Sequence, residues 1–85
     1  MKHVCMICGR KLGEYPGKGT SHGYCTPCAE VEDLCLTGTL FRISARAETI
    51  ETEIHRLAPD HPTRRQLEAR FNRIQQEISR RRAAS

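Results

Sequence analysis

The sequence has no tryptophan and only four aromatic residues in all, and hydrophobic residues occupy 38% of its 85 positions. A chain of this size and composition buries too little apolar surface to be comfortably stable through its core alone. Disulfides, a bound metal or association with another chain usually supply the remaining stability. The sequence therefore predicts one small domain, or one module with an extension, that depends on such a device.

Long apolar runs are also missing. No stretch reaches the length of a signal-peptide hydrophobic region or of a membrane-spanning helix. We therefore expect a cytoplasmic protein that does not engage membranes. In a reducing compartment paired cysteines are more often metal ligands than disulfides, and the odd number of five cysteines suits a disulfide framework poorly.

Glycine, cysteine and lysine are absent from the second half of the chain. All six glycines precede residue 39, and all five cysteines precede residue 36. Residues 41–85 contain ten arginines against five glutamates and one aspartate, which accounts for the whole net charge of +4. This division predicts a zinc-finger module over 1–38, a coiled-coil-like helical extension over 39–82, and a frayed tail at 83–85.

Two Cys-x-x-Cys pairs carry the clearest chemical signal. Cys5 and Cys8 are separated from Cys25 and Cys28 by sixteen residues, which matches the spacing of two-pair zinc sites. Each short turn aims two thiolates at one point, and two turns complete a tetrahedron around one Zn²⁺. Four thiolates leave no open position for water, so the pattern predicts a structural ion. Ligand type alone leaves iron open, and a dithiol redox protein would not need the second pair.

The residues around the second pair indicate how it is held. Pro27 suits the first turn of a helix, and Gly38 suits the end of that helix. The order of a Cys-x-x-Cys turn, a glycine-rich hairpin or loop, and a helix carrying the second pair predicts a treble-clef zinc finger, with a zinc ribbon as the alternative. His22 is a candidate to donate to a thiolate from outside the ligand set. Cys35 lies too far along the helix to reach the same ion, so we expect it in the core.

The motif "CxxCG…SHGYCxxC" resembles the short zinc-binding segments appended to some bacterial sensory and signalling proteins. The resemblance covers roughly residues 4–35, and it implies a bacterial, cytosolic zinc module in which Cys5, Cys8, Cys25 and Cys28 are the ligands. A zinc finger joined to a helical hairpin also resembles the DksA/TraR class of RNA-polymerase regulators, with the two parts in the opposite order.

The second half has the periodicity of two helices. Apolar residues recur at intervals of three and four in two narrow seams: Ile43, Ala47, Ile50, Ile54 and Leu57, then Leu67, Phe71, Ile74 and Ile78. Two prolines lie between them in 58–62, so the pattern predicts an antiparallel helical hairpin. Thr63 and Gln66 have the spacing of a capping box. Because the seams are thin, the hairpin is expected to pack on the zinc module or to share its seam with a second copy.

The fold class predicted is therefore small α+β: a zinc finger followed by an antiparallel helical hairpin. The chain lacks a phosphate-cradling loop and a nucleophile constellation, so we predict no enzymatic activity and no small-molecule substrate. The preferred hypothesis is a regulatory adaptor whose helices bind a protein partner or a second copy. The alternative is a nucleic-acid-binding, transcription-related protein, because arginine suits phosphate recognition. The candidate nucleic-acid contacts are Arg64, Arg65, Arg70, Arg73, Arg80, Arg81 and Arg82.

Overall fold

The computed structural model of the chain describes residues 1–14 and 16–84. Three short strands precede three helices in the described residues. They are β1 (Lys2–Cys5), β2 (Lys11–Glu14), β3 (Thr20–Gly23), α1 (Thr26–Thr37), α2 (Leu40–Arg56) and α3 (Pro62–Ala84). The predicted tail at 83–85 includes Ser85, which lies outside the described residues. The architecture is small α+β, as predicted, with a mixed sheet and three helices.

The sheet has β1 at its centre. β2 pairs with β1 in the antiparallel sense on one side, and β3 pairs with β1 in the parallel sense on the other. Residues 16–19, which include Gly17 and Gly19, therefore lead to the opposite edge of the sheet from β2, and β2 and β3 do not form a hairpin. The antiparallel hairpin is instead β1–β2, and its turn holds the first cysteine pair. Gly9 ends that turn at a φ of +74°, a left-handed conformation that glycine adopts without strain.

Helix α1 begins and ends close to the predicted residues. Cys25 is its N-cap residue, and Pro27 lies in the first turn, where its missing N–H is not needed. At the other end the Gly38 N–H donates to the Leu34 carbonyl at 2.7 Å. A Cβ at position 38 would lie 2.6 Å from that same carbonyl oxygen. Close approach of the backbone, rather than a positive φ, therefore explains the glycine that ends α1.

Helices α2 and α3 form the predicted antiparallel hairpin. At the end where the loop joins the two helices, Arg64 Nη1 donates to the Leu57 carbonyl at 2.9 Å. Further from that loop, Ala47 of α2 and Ile78 of α3 line one groove between the helices. The predicted seams supply most of the buried apolar residues of both helices. These are Ile43, Ala47, Ile50 and Ile54 in α2, and Leu67, Ile74 and Ile78 in α3. Phe71 and Leu57 are half-buried against them.

The capping-box prediction at Thr63 is wrong. Helix α3 begins one residue earlier, at Pro62, and the Thr63 N–H donates to Nδ1 of His61 at 3.1 Å. Proline fits the first helical position because its φ is already helical, so the residue before it becomes the cap. Thr63 is consequently inside the helix, and the cap is a histidine that periodicity does not reveal.

The hydrophobic core crosses the boundary expected between the zinc module and the hairpin. Val31 and Cys35 of α1 lie in one buried cluster with the seams of α2 and α3. Cys35 is 1% exposed, which confirms the prediction that it is a core residue. The thin two-helix seams therefore gain a third helix within the same chain, and Ile7 packs against both this core and the cysteine cluster.

Candidate metal centre

Four cysteines from two chain segments converge at one end of α1. Cys5 is the last residue of β1, and Cys8 lies in the turn that follows it. Cys25 directly precedes α1, and Cys28 lies in the first turn of that helix. The turn is closed by the Gly9 N–H donating to the Cys5 carbonyl at 3.0 Å. The hairpin turn and the helix start thus each present one Cys-x-x-Cys pair, as the spacing predicts.

The distances among the four sulfur atoms suit a single metal ion. All four lie within 4.8 Å of one another, and the Cys8 and Cys25 Sγ atoms are 3.8 Å apart. In a tetrahedral zinc–thiolate site with Zn–S bonds of about 2.3 Å, sulfur atoms lie about 3.8 Å apart. Cys5, Cys25 and Cys28 are buried, and Cys8 is half-buried. The group is therefore positioned to bind one metal ion, and its donor set and spacing fit Zn²⁺.

Backbone N–H groups are arranged to favour thiolates in this cluster. Burial opposes ionisation of Cys5, but the N–H groups of Cys8, Cys25 and Ile7 outweigh it and lower its pKa to about 6. The pKa of Cys28 is raised because burial and the neighbouring cysteines outweigh the favourable hydrogen bond from Arg70. Unequal pKa values are expected when like groups crowd into one site, because each thiolate disfavours the next. A divalent cation supplies the charge that lets all four ionise.

An arginine from the far end of the chain completes the surroundings of the cluster. Arg70 lies on α3 and is only 7% exposed. Its Nε donates to Cys28 Sγ at 3.1 Å, and its Nη2 donates to Cys25 Sγ at 3.9 Å. Burial alone would lower the pKa of this guanidinium, but the two sulfurs raise it. The sequence prediction placed Arg70 among candidate nucleic-acid contacts and did not foresee this position beside the metal centre.

Two further arginines of α3 hold helix α1. Arg73 makes a bidentate ion pair with Glu32, at 2.9 and 3.0 Å. Arg81 donates to the carbonyls of Cys35 and Gly38 at 2.7 and 2.6 Å, where a cation also complements the negative end of the helix. Together with Arg70, these contacts attach α3 to the beginning, middle and end of α1.

Glu77 connects these arginines to one another. Its carboxylate is buried and accepts from Arg80 and Arg81, with Arg73 at 3.8 Å. The hydrogen bonds from Arg80 and Arg81 lower the pKa of Glu77 to about 2. Both Arg70 and Glu77 fall at the spacing of the apolar seam, three residues after Leu67 and Ile74 respectively. Their positions in the three-to-four-residue repeat indicate burial. Because both side chains are charged, the sequence prediction did not count them among the buried residues.

The remaining candidate arginines lie nearer the surface. Arg64 is half-buried and donates from Nε to Glu68 at 3.1 Å, in addition to its bond to the α2 end. Arg65 and Arg82 are exposed. The seven arginines proposed for nucleic acid thus do not form one uniform surface, and their role in binding nucleic acid stays a prediction.

His22 lies on β3 with an exposed side chain, outside the four-cysteine group. Its neighbour Gly23 faces a different histidine. A Cβ at position 23 would lie 2.8 Å from the ring of His3. The absence of a side chain at Gly23 thus makes room for His3 on the adjacent strand. The predicted role of His22 beside a thiolate stays a prediction.

Comparison with protein-family models, with characterised proteins and with solved structures gives no match. Among residues 1–14 and 16–84, no helix combines the length and the apolar character needed to cross a membrane.

Proposed function

We propose that this chain is a non-enzymatic protein organised by one structural zinc ion, and that its helices mediate protein association. The observation that carries the zinc assignment is the group of four cysteine sulfurs within 4.8 Å of one another. A catalytic zinc site keeps a position for water or substrate, whereas four thiolates close the coordination shell. The ion then serves the fold, as a chain with so small a core requires.

The arrangement of the site favours a treble-clef finger over a zinc ribbon. In a ribbon the second cysteine pair lies on a second hairpin. Here Cys25 and Cys28 frame the start of α1, and Cys5 and Cys8 lie at the turn of a hairpin. Thiolates of this kind persist in a reducing compartment, which agrees with the proposed location in the cytoplasm.

Association is proposed at the junction between α1 and α2. Leu36 is 70% exposed and Phe41 is 83% exposed, with Leu40 between them in the chain. We call these three residues the apolar corner. Large apolar side chains left exposed at one junction of the chain are candidates for an interaction site. Phe41 also lines a groove of about 540 Å³ between the two helices, together with Leu34.

The charges of this groove favour a second copy of the chain as the partner. Its α1 wall carries Glu30 and Asp33, and its α2 wall carries Arg42 and Arg46. Glu30 and Arg46 pair across the groove at 3.5 Å, and no ion pair is found for Asp33 or Arg42 among the described residues. In a two-fold dimer each surface meets its own copy, so Asp33 of one protomer can face Arg42 of the other. A groove with one acidic wall and one basic wall can therefore pair with a second copy of itself, acidic wall against basic wall.

Sedimentation velocity of the zinc-loaded chain over a range of concentrations tests this proposal. We expect a monomer–dimer equilibrium that Phe41→Glu abolishes. The matched control is Met6→Glu, which changes another exposed apolar residue in the cysteine turn and should leave the equilibrium intact. Asp33→Arg and Arg42→Asp should each weaken the dimer, and the double variant should restore it. A wild-type chain that stays monomeric throughout would exclude self-association, and the corner would then be tested against other proteins.

Nucleic-acid binding is the second candidate, carried by the arginines of α3. Its support is weaker because Arg70, Arg73 and Arg81 are occupied by sulfur, carboxylate or carbonyl acceptors within the chain. Exposed Arg65 remains as a candidate phosphate contact. Fluorescence-anisotropy titration with labelled DNA and RNA at two salt concentrations tests it. Binding that weakens steeply with salt would support it, because phosphate contacts release counterions.

A further inference from the structure

The guanidinium of Arg70 is enclosed between α3 and the cysteine cluster. Both hydrogen bonds described for it end on cysteine sulfur, on Cys28 at 3.1 Å and on Cys25 at 3.9 Å. Burying a guanidinium is costly unless acceptors of opposite charge replace the water it loses. A neutral thiol is a poor acceptor, whereas a metal-bound thiolate carries the required charge. The buried donors of Arg70 therefore have their best acceptors when the cysteines are ionised around a metal.

The metal centre also depends on Arg70, because the bound ion and its ligands carry a net negative charge. Four thiolates and one divalent cation sum to a net charge of −2, in a site where three of the four cysteines are buried. One adjacent guanidinium reduces that net charge to −1 where little water is present to do so. Its Nε also fixes the direction of the Cys28 sulfur, because charge-assisted hydrogen bonds are directional, and its Nη2 places a second donor near the Cys25 sulfur.

We infer that Arg70 is a positioning residue of the metal centre, which holds Cys25 and Cys28 for the ion and couples metal binding to the packing of α3. This inference rests on the proposed structural metal site. Groups outside the ligand shell that hydrogen-bond the ligands typically change metal affinity by about tenfold to a hundredfold when they are removed. The contact spans 42 residues of sequence, so it links the last helix directly to the cysteine module.

The neighbouring Arg73 provides a matched control. It lies one turn further along α3 and binds α1 through Glu32, without a described contact to the four metal-binding cysteines. Arg73→Met therefore weakens the attachment of α3 to α1 but leaves the surroundings of the cysteines unchanged. Arg70→Met retains most of the side-chain volume and removes every donor. Arg70→Lys retains the charge and loses the planar pair of donors.

The experiment is a zinc-affinity measurement on the full chain, by competition with a chromophoric chelator, together with the absorption spectrum of the Co²⁺-substituted protein. We expect Arg70→Met to raise the zinc dissociation constant by about tenfold to a hundredfold and to shift the thiolate-to-cobalt band. Arg70→Lys should lie between this variant and the wild type. Arg73→Met should change zinc affinity by less than about threefold and leave the cobalt spectrum unaltered.

An Arg70→Met chain that binds zinc with wild-type affinity and shows the wild-type cobalt spectrum would overturn the inference. So would equal losses of affinity in Arg70→Met and Arg73→Met, because the effect would then follow from helix packing alone. If Arg70→Met does not fold, the comparison passes to Arg70→Lys, whose unchanged affinity and spectrum would be equally decisive. A wild-type chain that binds no metal at all would instead refute the structural zinc site itself.

Discussion

Replacing Ile74 by alanine tests whether the zinc module and the hairpin form one folding unit. Ile74 is fully buried in the cluster that joins α1, α2 and α3. The change removes three carbon groups, worth about 2.4 kcal/mol at about 0.8 kcal/mol each. The cavity left behind adds to this, so we expect a loss of about 2 to 4 kcal/mol in the free energy of unfolding. For 85 residues the whole stability is on the order of 4 to 13 kcal/mol.

The assay is urea unfolding followed by circular dichroism at a fixed excess of zinc, because bound metal contributes to the apparent stability. Metal release is recorded in a parallel titration of the Co²⁺-substituted chain, from the loss of its thiolate-to-cobalt absorption band. If α1 is shared between the metal site and the core, helix loss and zinc release should move together to lower urea. The matched control is Gln75→Ala on the exposed face of α3, which should change stability by less than about 0.5 kcal/mol.

Two results would refute this reasoning. The first is an Ile74→Ala chain within about 0.5 kcal/mol of the wild type, which would mean that the position is not packed as described. The second is a large loss of helix at a urea concentration that leaves zinc binding untouched. That outcome would show that the hairpin unfolds independently of the cysteine module.

Three other predictions address the metal, the buried carboxylate and the fifth cysteine. Cys8→Ser should lose zinc and most of the helical signal together, because the metal-binding energy is part of the folding energy. Metal titration and circular dichroism measure the two losses, and a metal-free variant with native circular dichroism would contradict this prediction. Glu77 has a pKa of about 2 in the folded chain against an ordinary value of 4.5, so it stabilises the fold above pH 4.5 and loses that effect as the pH falls toward 2. Glu77→Gln should therefore lower the melting temperature of the zinc-loaded chain at pH 7, where the carboxylate is ionised, and an unchanged melting temperature would be inconsistent with the ion pairs. Burial raises the pKa of the Cys35 thiol, so a thiol reagent should label it only after denaturation. Cys35→Ala should still bind one zinc per chain. Rapid labelling of Cys35 in the native protein would argue against its core position.

The cysteine cluster and the helices were predictable from local sequence alone. A Cys-x-x-Cys turn directs two sulfurs to one point whatever surrounds it, so the spacing of Cys5, Cys8, Cys25 and Cys28 was sufficient to predict their convergence. The seams of α2 and α3 were equally readable, because a helix that buries one face repeats its apolar residues every three to four positions.

Only the tertiary structure decided what the charged residues of α3 contact. Sequence reasoning treats an arginine as a surface residue, since burying its charge is normally unfavourable. Arg70 is an exception because distant cysteine sulfurs accept hydrogen bonds from it, whereas Glu77 is an exception because three arginines of its own helix pair with it. The cysteine partners of Arg70 reach it only through the packing of α3 on α1, in a core that Val31, Cys35 and Ile74 share. The apolar periodicity of one segment does not indicate which other segment packs against it. The contacts between α3 and the cysteine module are therefore seen only in the assembled structure.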